Sequence, residues 1–74
     1  MPEHTDTADR ELTPVADRLG AEFSGVHERS TVDRCVGAAR QGALDVTGRA
    51  APDLVERIAR QHLQVLALAF AERT

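Results

Sequence analysis

Cys35, in the stretch CVGAAR, is the one thiol of this chain and so the first side chain to weigh as a nucleophile. A thiolate can act as a nucleophile when a nearby cation lowers its pKa. Arg57 and Arg60, in VERIAR, could grip a phosphate. His4, His27 and His62 could ligate a metal or move a proton. Asp6, Asp9, Glu11, Asp17 and Glu22 could be taken for an acidic site.

None of these sets has the setting its chemistry needs. The histidines show no metal-ligand spacing among themselves or with Cys35, so neither metal nor cofactor is expected. Cys35 falls inside an apolar helical run whose backbone N–H groups are used by the helix. A thiol there packs as a small hydrophobe. Glu56 and Arg60 stand four apart, as an ordinary helix-surface pair. The carboxylates fall in the N-terminal tail or on the solvent side of a first helix, a solvated face. His27 and Glu28 fall in an inter-helix loop with no evident partner. No two titratable groups can be assigned to one pocket, so an enzyme is not expected.

Composition narrows the remaining classes. Seventy-four residues make one domain at most. A domain this small buries only about 60% of its unfolded-chain surface and is marginal without help. One cysteine rules out an intrachain disulfide. With metal also set aside, oligomerisation is the expected helper. Nine arginines, no lysine and twelve acids give a net charge of −3, with the basic residues scattered among the acids. Nucleic-acid binding favours a clustered basic face instead. No apolar run approaches the ~18 residues of a membrane span. The opening MPEHTDTADRE lacks the layout of a signal peptide. A cytoplasmic location is expected, and a lone thiol suits a reducing compartment.

The elements that must position any site are helices. The expected fold class is all-α: a disordered tail over 1–10, then a three-helix bundle domain over 11–74 with the third helix longest. A first helix is expected over 12–23, with Thr13 as cap and Pro14 at its first position. Leu12, Val15, Leu19 and Phe23 form a stripe roughly 80° wide. A second helix is expected over 31–46, with Ser30 and Asp33 as a capping box. Val32, Cys35, Val36, Ala39, Ala43 and Val46 share one face, and Gly37 and Gly42 suit a close helix approach. Gly48 is the expected break.

The third helix, expected over 52–72 from Pro52, carries the functional signal. Its apolar residues span an arc about 220° wide, against the ~100° a helix usually buries in its own domain. The expected dimer interface is the outer part of that arc, namely Val55, Ala59, His62, Leu63, Leu66 and Phe70. Across a twofold axis between antiparallel third helices, His62 would meet its own mate. Burial and like charge would then disfavour the imidazolium, so the dimer would weaken as pH falls through about 6.5.

The order RLGAEFSGV, STVDRCVGAAR and APDLVERIARQHLQVLA resembles a three-helix-bundle dimerisation domain. That domain is found at the N-terminus of some bacterial arsenate reductases of the low-molecular-weight tyrosine-phosphatase type, and in short stand-alone proteins. The likeness covers roughly residues 15 to 68 and is most distinctive in LVERIARQHL. It implies a bundle that associates with itself, not the catalytic activity, which in those enzymes belongs to a downstream domain. Their catalytic loop has five residues between cysteine and arginine, whereas CVGAAR has four. The expected function is non-catalytic homodimerisation through the third helix. The alternatives are a subunit that receives a helix of a separate enzyme or regulator and, more remotely, a small DNA-binding helical domain.

Overall fold

The computed structural model describes the backbone of residues 2–73 and the side chains of residues 11–72. Three helices follow one another: α1 (Pro2–Glu22), α2 (Arg29–Thr47) and α3 (Pro52–Arg73). Short turns make sequential neighbours antiparallel. No strand occurs among the described residues, and α3 is the longest helix at 22 residues.

α1 starts earlier than its cap signal suggested. The helix runs through Thr13 and Pro14 with no break. Proline fits helical φ and forfeits one backbone bond. Continuing the helix back past it places Leu12 on the same buried stripe as Val15, Leu19 and Phe23. The disordered tail expected over 1–10 concerns residues whose side chains lie outside those described.

The core is made from one face of each helix. Leu12, Val15, Ala16, Leu19 and Phe23 of the first stretch meet Val32, Val36, Ala39 and Ala43 of α2 and Val55, Ala59 and Leu63 of α3. Val46, expected on the same α2 face, is instead 84% exposed. It lies on the flank of α2 turned away from α1.

The ends of α2 follow different rules. Its start needs no capping box: the helix begins at Arg29, with Glu28 at the cap position and no side-chain bond to the helix. The Glu28 carbonyl accepts from the Thr31 and Val32 N–H groups at 3.0 and 3.1 Å. Asp33 accepts from Arg29 Nε at 2.9 Å instead of completing a box. At the other end Gly48 stops the helix as expected. Its φ of 78° is left-handed and its N–H donates to the Leu44 carbonyl. Gly37 and Gly42 do not serve close packing within the chain, since a Cβ at either would meet nothing within 4 Å.

The α1–α2 turn is anchored by a buried histidine. His27, expected to have no partner, is buried. Its Nε2–H donates to the Leu63 carbonyl at 2.9 Å. Its ring lies between Phe23 and Phe70, at centroid distances of 5.6 and 5.9 Å. The turn that follows α1 is thereby fastened to α3. Ion pairs tie the outer edges of the helices. Arg18 pairs with Glu56, which also receives Arg60, and Arg60 reaches Glu22 on α1. Arg29 bridges Asp17 on α1 and Asp33. Asp17 and Glu22 are therefore cross-helix partners as well as solvent-facing groups.

Candidate functional site

Three of the six residues expected at a dimer interface are used up inside the chain. Val55, Ala59 and Leu63 are 0% exposed and line the intramolecular core. No second molecule can touch them while the bundle is intact. At about 100° per residue they form the face of α3 that points between α1 and α2. The apolar arc of α3 is wide, but its centre faces inward.

The other three, His62, Leu66 and Phe70, lie on the surface. Leu66 and Phe70 continue the inward direction of Leu63 along the wheel, yet they are 38% and 51% exposed. The cause is length. The His27 clamp at Leu63 marks where the α1–α2 turn crosses α3. The helix continues to Arg73, about 15 Å further. Along that overhang Phe70 gains His27 on one side and Leu66 keeps part of its cover, while Val65 and Leu68 are more exposed than either.

A second uncovered surface joins the first. Cys35 of α2 and His62, Val65 and Leu66 of α3 line a shallow groove of about 310 Å³. Leu54 and Ile58 extend this row along α3 and are partly buried against the core. Gly42 and Val46 extend it along α2. At about 100° per residue, all of these point to the flank of the α2–α3 pair away from α1. The ion pairs Arg18–Glu56, Arg60–Glu22 and Arg29–Asp17, which join helices, lie on the α1 side of α2 and α3. The uncovered flank between Ile58 and Ala69 carries no charged residue.

The structure separates the residues that could have done chemistry together. Cys35 opens on the uncharged flank. Arg40 lies about 140° round α2, where with Leu12, Thr13, Ala16 and Gly37 it lines a different groove against α1. Its Nε is buried with no hydrogen-bond partner. The two therefore cannot share one anion. Burial pushes the Cys35 thiol up, against a smaller opposing pull from Arg34, which disfavours the thiolate. Arg60 is engaged by Glu22 and by Glu56 four residues before it, as the spacing suggested. Among the described residues, no three His, Cys, Asp or Glu side chains converge as a metal site. His4 lies outside those described. No helix among the described residues is long and apolar enough to cross a membrane.

His27 is the structurally decisive polar residue that sequence reasoning missed. The available signal was local: Phe23 and His27 stand four apart at the end of an apolar stripe. Its hydrogen-bond acceptor is 36 positions away, beyond the reach of any local pattern.

No family model, curated protein or solved structure matches the chain.

Proposed function

We propose that the chain is a non-catalytic self-association module that forms a homodimer through the uncovered part of α3. The supporting observation is the row His62, Val65, Leu66 and Phe70, left uncharged and solvent-facing after the chain has completed its own core. Monomers seldom leave a contiguous apolar patch of this kind in water.

Association would be driven by removal of apolar surface from water, worth about 25 cal/mol per Å² before the costs of binding. A twofold axis suits a surface that must match itself. The resemblance of LVERIARQHL and its surroundings to the bundle domain of some arsenate reductases supports the same function. A reducing compartment such as the cytoplasm suits the unpaired thiol.

Sedimentation velocity of the purified chain is the direct test. The expected species has twice the 8.0 kDa chain mass. Leu66→Asp should return it to the single-chain mass with helicity intact. A folded wild-type chain that stays monomeric at tens of micromolar overturns homodimerisation. The same uncovered row would then suit a helix from a different protein.

A further inference from the structure

Arg40 and Arg60 are the half-buried arginines among the described residues, and the fold treats them differently. Arg60 meets two carboxylates, Glu22 and Glu56. Arg40 meets none, since no ion pair among the described residues includes it. Its Nε is also the one buried side-chain nitrogen or oxygen among the described residues that lacks a hydrogen-bond partner. A buried donor without an acceptor costs stability, more so when it belongs to a charged group. An acceptor from outside the chain would relieve that cost.

Arg40 borders the groove between α1 and α2, whose volume is about 290 Å³. On α2, Arg29, Asp33, Gly37 and Arg40 fall within about 80° of one another and form one wall. Leu12 and Ala16 of α1, with Val36 of α2, make the floor apolar. Gly37 leaves the middle open, since a Cβ there would meet nothing within 4 Å. Asp33, the carboxylate in this groove, already accepts from Arg29 Nε at 2.9 Å. It stands about 10 Å along the helix from Arg40.

Charge limits what the groove can take. Arg29 and Arg40 balance Asp17 and Asp33, so the surroundings hold no surplus for a dianion such as phosphate. One guanidinium edge, Nε–H with a neighbouring Nη–H, fits the two oxygens of one carboxylate. The apolar floor beside it favours a carboxylate with a hydrocarbon body. The volume lies at the lower end of small-molecule sites, which begin at about 300 Å³.

We propose that the α1–α2 groove binds a small aliphatic monocarboxylate, with Arg40 holding the carboxylate and Leu12, Ala16 and Val36 beneath the hydrocarbon. Arg40 lies about 140° round α2 from Cys35. The groove is therefore separate from the flank assigned to self-association, and the two readings stand or fall independently.

Sodium hexanoate is the probe. It is titrated into the isotope-labelled chain and followed by NMR at the Arg40 Nε–H resonance, which Arg40→Gln identifies by its loss. The resonance should shift and saturate with a Kd of about 1 mM or lower. Acetate, which has no methylenes to lay on the floor, should bind at least about tenfold more weakly. Inorganic phosphate should give no saturable shift. A failure of hexanoate to saturate the resonance overturns the proposal and leaves the Nε to water. Equal affinity for acetate, or a preference for phosphate, overturns the aliphatic monocarboxylate. A shift that follows protein concentration without hexanoate overturns the small ligand, because another copy of the chain would then supply the acceptor.

A glycine variant tests the location separately. Gly37→Leu improves helix propensity and fills the middle of the groove while leaving Arg40 in place. It should melt no lower than wild type and weaken hexanoate binding by about tenfold or more. Wild-type affinity in this variant puts the ligand elsewhere on the chain and overturns the groove.

Discussion

α3 carries one apolar direction along its length and meets two fates. Val55, Ala59 and Leu63 point between α1 and α2 and are fully buried. Leu66 and Phe70 point the same way further along and remain in contact with solvent. Neither residue type nor helical angle separates the two groups. The difference is that the α1–α2 turn crosses α3 at Leu63, held there by His27. Helical periodicity fixes direction, while the lengths of neighbouring elements decide whether anything waits in that direction. The first half of α3 holds the chain together, and the second half is free to hold something else.

The sharpest way to break this contrast is to truncate one leucine from each half. Leu63→Ala removes a fully buried side chain from a small core and should cost about 3 kcal/mol, enough to unfold a large share of a domain of marginal stability. Leu66→Ala should cost clearly less, about 1 kcal/mol in urea unfolding of the monomer, since Leu66 is already 38% exposed. Equal losses would mean that the chain's own core extends past the α1–α2 turn.

The boundary itself can be tested next. His27→Ala removes a buried hydrogen bond to the Leu63 carbonyl and two ring contacts. The expected loss is about 2 kcal/mol. Amide exchange should also rise preferentially in residues 23–28 and in the overhang after Leu63, whose anchor is lost. A variant as stable as wild type, with unchanged exchange, would show that the turn is held by other contacts.

The same contrast explains which parts of the fold were legible in the sequence. The stripe of Leu12, Val15, Leu19 and Phe23 was readable because spacing and burial coincide along one uninterrupted helix. Gly48 and Pro52 were readable because a left-handed stop and a first-turn proline act within one or two residues. Thr13 misled because its capping signal is local, whereas burial of Leu12 rewards helix on the far side of Pro14. Ser30 misled for a similar reason, since α2 begins one residue before it and Asp33 is engaged by Arg29. For the candidate site, the width of the α3 arc was readable but its inward part was not. That part depends on where α1 and α2 lie, as does the outward turn of Val46.

The smallest effect belongs to the charged edge that seals the first half of α3. The Arg18 guanidinium holds the Glu56 carboxyl below the usual carboxylate range, with Arg60 adding to it and partial burial opposing it. Because the folded-state pKa is lowered, the charged form is the one that folding favours. Its contribution is present above the unfolded value, about 4.3, and is lost as pH falls through the lower folded value. Glu56→Gln should therefore melt below wild type at neutral pH by no more than about 4 °C. Arg18 is half exposed, so solvent and salt weaken the pair. That gap should close in acid, where Glu56 is protonated in both states and resembles the amide. A gap that persists after protonation would mean that Glu56 acts through packing against Arg18 and Arg60. Charge would then contribute little on the α1 side of α3, and the two flanks would differ in shape more than in electrostatics.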